Sequence, residues 1–510
     1  MSRSPASRSC LVAALLACTA IVSPAQADLA PAEVWNGLKG YFESFGYDVS
    51  GAETGGADDL TVADTLLSMT LPDSEGTITV ELGQLQFMDT GDAVAISFPE
   101  VMPIRFDLLP QSGAPAVQGV VEYRQAGLEM SVSGSASDMD FTYAAEALDL
   151  ALTELSIDGE ARGADVARAQ MTLSEVAGET QMTIAALRDV SQGLTMGEVS
   201  FDVFFADPSE PTTLSQFTGS WKNLDMTSEA KLPLIMDMTD FPALLASGFT
   251  LAATMTHQGS SQDINATDRG EILASSTTTA SGVTDLSLGG NAMSITSESR
   301  NVTMQTAGGD LPFPVALTAE TTQFGLAGPL SKTDGAAPFA FNLTLGSFEM
   351  NDLIWSLLDP TGQLPRDPAT LEIDLSGMVR VLLDMFDPQS AMAIQQGARS
   401  LELDTLALNA LTLDAAGAKL TGEGAFTLDN TDRQTFRGLP RPEGEVTLEL
   451  TGANKLIDTL VRMGIIPQEQ AMGARMMMAM FAQPVGDDQL RSKIEINSSG
   501  HVLANGQRIQ

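Results

Sequence analysis

The chain has 510 residues, 66 of them acidic against 26 basic, for a formal charge of −40. Such a surface repels nucleic acid and anionic lipid headgroups, and the scattered Lys and Arg residues form no basic patch to offset it. Both cysteines, Cys10 and Cys18, fall in the first 27 residues, so the rest must be held by an ordinary apolar core.

Residues 1–27 have the three parts of a secretory signal. Arg3 and Arg8 start it with no acid before Asp28, an apolar run covers 11–22, and Pro-Ala-Gln-Ala at 24–27 puts small residues where a signal peptidase reads. Cleavage is expected after Ala27, with delivery to the periplasm. A competing reading takes Leu-Leu-Ala-Cys at 15–18 as a lipoprotein box that anchors the chain through Cys18, although Leu16 is large for its place there. Cleavage at Ala27 removes Arg3 and Arg8, leaving 24 basic residues against 66 acids, or −42, over 510 − 27 = 483 residues. That is long for one domain. Three regions are expected: 28–160, an N-terminal helix plus antiparallel sheet; 161–345, a β region rich in Thr, Ser and Ala; and 346–510, a C-terminal α+β region. No segment after the signal reaches transmembrane length without polar interruption.

The first region opens with a helix. Pro31 suits a first turn, Val34, Leu38, Tyr41, Phe42 and Phe45 recur at helical spacing, and Gly46 is the stop. A Gly/Asp-rich break is expected over 51–59. The period then changes to two, with strands predicted over 77–82, 93–98, 104–108, 117–123, 128–132 and 141–152, separated by turns at 72–76, 89–92 and 111–113. In the middle region strands are predicted over 181–185, 198–205, 248–255, 283–288, 293–296 and 301–305, and a short helix over 237–248. In the last region helices are expected over 349–358, 378–386, 455–463 and 469–481. Strands are expected over 371–375, 401–408, 419–428, 445–450, 492–496 and 501–504. A phase slip at Asp404-Thr405 predicts a bulge. A strand–Gly–helix unit thus occurs twice, over 371–386 and 445–463. The fold class is mainly β: long antiparallel curved sheets with short peripheral helices. Their apolar faces must be covered by a sandwich or left lining an elongated groove.

The motifs are mostly negative. His257 and His501 are the only histidines and lie far apart, too few for a histidine-based zinc site. No Gly-x-Ser-x-Gly elbow, Walker loop or dinucleotide Gly-x-Gly-x-x-Gly is present. Carboxylates are abundant enough for a hydrolytic pair, but with 66 of them some pair by chance. The turns at 429–432 and 486–488 lack the spacing of a calcium loop, and solvated turns are the simpler reading. No cofactor or metal is expected. Trp35, Trp221 and Trp355 read as packing residues. The sharpest local feature is a methionine cluster, Met472, Met476, Met477, Met478 and Met480, before Phe481. Met472, Met476, Met480 and Phe481 make an apolar helix face, for which core packing is the first reading. An adaptable contact with lipid or a partner is the second, and Cu(I) binding by thioethers the third.

The start with Trp35 and Phe42, the strand series and the Gly-x-Leu-rich C-terminal region resemble an uncharacterised alphaproteobacterial envelope family, domain of unknown function 2125. The ending at 500–507 is similar to the closing hairpin of another periplasmic family, whose repeated strands form long grooves. A looser likeness is to AsmA-like proteins, implicated in outer-membrane lipid assembly. Those keep an N-terminal membrane anchor, whereas the signal here is expected to be cut. These resemblances imply no catalytic residue. The leading expectation is therefore a non-enzymatic envelope protein that binds a lipid-like ligand or envelope partner. A structural or protein-interaction scaffold is the alternative, and a carboxylate-based hydrolase the third.

Overall fold

The computed structural model describes residues 29–71, 76–110, 113–207, 209–210, 212–237, 240–309, 311–384 and 388–509. The signal with Cys18 and Ala27, the turn at 72–75 and residues 111–112 and 385–387 lie outside them. The chain begins with helix α1 (Pro31–Ser44), whose Glu33 reaches back to the N–H of Ala30 at 2.9 Å. Nine antiparallel strands follow: β1 (Asp48–Gly55), β2 (Asp59–Thr70), β3 (Gly76–Leu82), β4 (Leu85–Asp89), β5 (Val94–Ser97), β6 (Val101–Pro110), β7 (Val117–Ala126), β8 (Glu129–Ser135) and β9 (Asp138–Ile157). After the short β10 (Glu160–Arg162) come three long strands, β11 (Ala167–Ile184), β12 (Leu187–Ala206) and β13 (Leu214–Pro233). Helix α2 (Phe241–Ala246) leads to β14 (Thr250–His257), β15 (Ser260–Asp268), β16 (Glu271–Thr279), β17 (Ser281–Gly289), β18 (Ala292–Gly308), β19 (Val315–Pro329) and β20 (Ala337–Met350). Helix α3 (Asp352–Leu358), β21 (Ala369–Val381), α4 (Pro388–Gln395), β22 (Leu401–Ala415), β23 (Ala418–Asp429), β24 (Arg441–Thr451), α5 (Ala453–Arg462) and α6 (Gln468–Phe481) follow. The chain ends with β25 (Gln483–Gly486), β26 (Gln489–Ile496), β27 (Val502–Ala504) and β28 (Gln507–Arg508).

These strands form one antiparallel ribbon. The far edge of β2 carries two short strands side by side, β3 and β4. Those lines continue through β6 and β7 on one side and β5 and β8 on the other, and rejoin on β9. From there β9, β11, β12 and β13 pair in turn. β13 splits again into β15 and β14, which continue as β16 and β17 and rejoin on β18. The ribbon runs on through β19, β20, β21, β22, β23 and β24 to β26 and the C-terminal hairpin.

A crease runs along this ribbon where the split strands meet. Asp64, Glu175, Asn223, Asn301 and Ser347 sit in mid-strand with φ of 47–51°. Across it Glu175 faces Gly197, where a Cβ would come 2.6 Å from the Glu175 carboxylate. Ser347 donates from Oγ to Glu320 Oε2 at 2.8 Å along the same line. Strand side chains alternate with a period of two. At the crease the apolar pattern slips by one: Leu173 is followed by Val176, Val199 is preceded by Met196, and Trp221 is followed by Leu224. The left-handed residues absorb the slip, so apolar side chains of both walls stay on one face. Ala145, Val176, Met196 and Leu224 of one wall cluster there with Val199, Leu148, Leu173 and Trp221 of the other, the five buried members at most 7% exposed. No helix residue belongs to this cluster, so the two walls cover the crease themselves, which makes the apolar face the inner one.

The main core lies at the N-terminal end. Val34 and Trp35 of α1 are buried against Val62, Phe87, Val94, Val132, Met139 and Met182, and α2 adds Leu244 against Leu232 and Met236. Arg188 fixes the end of α1. Its guanidinium donates to Ser44 Oγ at 2.9 Å and lies over the Tyr41 ring, 5.6 Å from the centroid. The last turn of α1 has no basic residue of its own, so this buried cation meets the negative end of the helix. Burial lowers its pKa from the ordinary arginine value.

Several predicted elements shift. The break over 51–59 shrinks to residues 56–58, because β1 pairs with β2 through Gly55. The helix expected from Met378 is strand as far as Val381: Val379 and Val381 keep the period of two and pair with Leu403 and Leu401. The strand–Gly–helix unit therefore occurs once, at β24 and α5. The predicted bulge is present, with Met378 opposite Thr405 and Val379 opposite Leu403, which leaves Asp404 as the extra residue.

Candidate functional site: an uncharged inner face

One cross-strand row shows the site best. Leu286, Ile295, Leu326, Phe341, Leu375, Leu408, Gly424, Val446, Ile494 and Ala504 are successive partners on ten strands, β17 to β24, β26 and β27. A second row, two residues nearer the crease, runs Ser297, Phe324, Leu343, Ile373, Leu411, Gly422, Leu448 and Ser492. Neither row contains a charged residue. The next row, one residue further toward the crease, points to the outer face and reads Glu298, Gln323, Thr344, Glu372, Thr412, Thr421, Glu449 and Arg491. Cross-strand ion pairs such as Lys493 with Glu445 at 2.7 Å and Lys231 with Asp189 at 3.1 Å occupy that outer face.

What sets this inner face apart is that, among the described residues, no second layer covers most of its C-terminal half. Of the 33 buried apolar residues among those described, 26 precede residue 251. In the C-terminal half the row residues are half-buried or exposed, Phe324 and Leu326 each at 41%, apart from Ser492 and Ala504 at the last strands, which are buried. Strands are about 4.8 Å apart, so ten of them make an apolar strip about 43 Å long. One leaflet of a bilayer offers acyl chains spanning about 15 Å, half the hydrocarbon thickness.

The sequence-predicted residues fall differently around this face. Met472, Met476, Met477 and Met480 are 56–70% exposed on α6, so the core-packing reading is corrected: α6 buries Ala471, on another face, and leaves the methionines outside. Trp35 is core and donates from Nε1 to Glu53 at 2.8 Å. Trp221 stacks on Phe201 with centroids 5.5 Å apart, and Trp355 carries the Arg366 guanidinium at 5.7 Å. Asp429 closes its turn by accepting from Thr431 and Arg441, contacts that hold its pKa down to about 2. Asp488 accepts from the first N–H groups of α5. Among the described residues, no group of three or more His, Cys, Asp or Glu side chains is placed to hold a metal ion. A shallow depression of about 480 Å³ between Asp189, Lys231, Thr250 and Ser287 opens mainly on the polar outer face. No described helix is long and apolar enough to cross a membrane.

His257 stands at the crease on the inner face, 9% exposed, against Gly282, where a Cβ would come 2.4 Å from its ring. Burial lowers its pKa from the ordinary histidine value, against a smaller opposing effect from the Gly259 backbone. A base with a depressed folded pKa binds its proton more readily in the unfolded chain. Stability is therefore expected to fall as pH drops from about 6.5 to the lowered folded value, and to level off below it. Urea midpoints of the wild type and His257→Gln across pH 7.5 to 5 check this. Parallel curves for the two chains would refute it.

The geometry defines a class: a creased, open antiparallel ribbon with a charged outer face and an uncovered apolar inner one. Residues 251–503 match the family described as an uncharacterized protein conserved in bacteria, DUF2125. No curated protein and no solved structure matches the chain. The matched region begins on β14 and ends on β27, and so takes in almost the whole uncovered part of the inner face.

Proposed function

We propose that this chain is an exported, non-enzymatic envelope protein that holds acyl chains of a lipid-like ligand along its inner face. The observation that carries this is the pair of uncharged rows across β17 to β27. In a chain of charge −40, one face of the ribbon has no charge in these rows, and among the described residues no second layer buries most of it. An exposed apolar strip of this length in water calls for an occupant. The half-buried state of its side chains suits flexible chains that fill a trough from above.

Mass spectrometry of the protein taken gently from its envelope fraction tests this. Under native conditions an added mass that matches a lipid and leaves on denaturation is expected. The denatured mass also reads whether the chain starts at Asp28 or at a lipidated Cys18. A bare native mass would sink the acyl-chain reading and favour a protein partner on the same face.

A further inference from the structure

The inner face has two unlike ends. At its N-terminal end α1 and α2 lie on it, with Val34, Trp35 and Leu244 at most 3% exposed. At its C-terminal end it finishes beside α6. Ser492, which stands in the second uncharged row, donates from Oγ to the Phe481 carbonyl at 2.6 Å, and Asn505 donates to the same oxygen at 2.9 Å. Arg475 ties α6 to Asp458 of α5 at 2.6 Å.

The free surface of α6 is apolar. Met472, Met476, Met477 and Met480 are 61%, 70%, 60% and 56% exposed. Spacing of four puts Met472, Met476 and Met480 on one stripe. Val485, just beyond, is 52% exposed. The helix has two charged residues, Glu469 in its first turn and Arg475, already engaged by Asp458. An acidic chain thus ends beside a patch of flexible thioethers with few charges.

We infer that this patch seats on the surface of a lipid bilayer and that acyl chains pass between bilayer and inner face there. The inference rests on the acyl-chain reading above. Three features select a bilayer as the occupant. The patch stands on the helix that meets the end of the inner face, where the Phe481 carbonyl accepts from Ser492 of the second row. The opposite end is closed by α1 and α2. The methionine stripe presents mobile apolar groups and no polar group of fixed geometry, which suits a fluid surface. The charge adds a condition: binding favours neutral headgroups, because anionic ones repel the rest of the molecule.

Flotation of the full chain with phosphatidylcholine vesicles tests the inference. The wild type is expected to float, and the fourfold variant Met472→Ser, Met476→Ser, Met477→Ser, Met480→Ser to partition roughly tenfold less or weaker. These side chains are exposed, so the variant should fold, with unchanged circular dichroism. In a Met476→Trp chain the added fluorescence should be quenched by brominated acyl chains. Adding anionic phosphatidylglycerol should weaken flotation at low salt. Equal flotation of wild type and variant, flotation on anionic vesicles alone, or an unquenched Trp at 476 would each overturn the inference. A wild type that carries lipid by native mass yet does not float would refute the bilayer contact and leave the acyl-chain reading standing. Flotation without any carried lipid would count against the acyl-chain reading alone.

Discussion

Replacing Gly377 by valine is expected to lower stability by about 3 kcal/mol or more, one of the largest effects of any single substitution in the ribbon. Gly377 lies on β21 in the inner face, with Phe339 of β20 over it and Leu406 of β22 opposite. A Cβ there would stand 2.1 Å from the Thr405 carbonyl oxygen and 2.7 Å from the Phe339 ring. The ring could turn aside, but the carbonyl belongs to the backbone beside the Asp404 bulge. Relief requires β21 and β22 to separate locally, and the hydrogen bonds between them are lost with that move. Urea unfolding should show a lower midpoint, and hydrogen exchange should speed up in β20, β21 and β22 before it does around α1. A midpoint within experimental error of the wild type would show that the two strands are not held as closely as the geometry requires.

The second large effect concerns the ligand rather than the fold. The double variant Leu286→Glu, Leu326→Glu places two carboxylates in the longer uncharged row, on either side of Ile295. Both positions are partly open to water and Leu326 is 41% exposed, so the charges stay hydrated in the empty protein and folding should change little. With an acyl chain over them, the carboxylates lose that water, and bound lipid should drop more than tenfold. Val283→Glu is the control. Val283 is 41% exposed on the same β17 but on the outer face, opposite Glu298, so lipid content should hold there. Equal lipid in the double variant and the wild type would place the ligand elsewhere.

Much of this architecture was legible in the sequence, because period-two alternation survives wherever one face is apolar. The strands over 77–82, 117–123, 419–428 and 445–450 were readable for that reason. The strands β13, β15, β16 and β19 were not. Their inner positions carry Ser, Thr, Gly and Gln among the apolar residues, as in Ser260, Gln262, Thr277 and Thr279, which blurs the contrast between faces. The long strands look like fragments in the sequence because the alternation slips at the crease. Glu198 to Phe205 is the part of β12 on one side of Gly197, and 293–296 and 301–305 are parts of β18 either side of the crease. Pairs of short strands whose apolar phases differ by one are the signal that would have revealed it. The methionine helix was found, but its exposure was not. Alternation of helical faces tells which residues lie together, and only the fold tells whether that face meets a partner.

The ribbon also sets how the molecule comes apart. Apart from the crease and the helices at its ends, each strand bonds only to the strands on either side of it. Stability then accumulates strand by strand, as in a stack of repeats, in place of one shared interior. The N-terminal end is anchored by the buried core around Val34 and Phe87, while the other end finishes in strands of three and two residues. Opening therefore starts at β28 and travels inward, and a bound occupant lying across many strands would fasten this end in a way the protein alone does not.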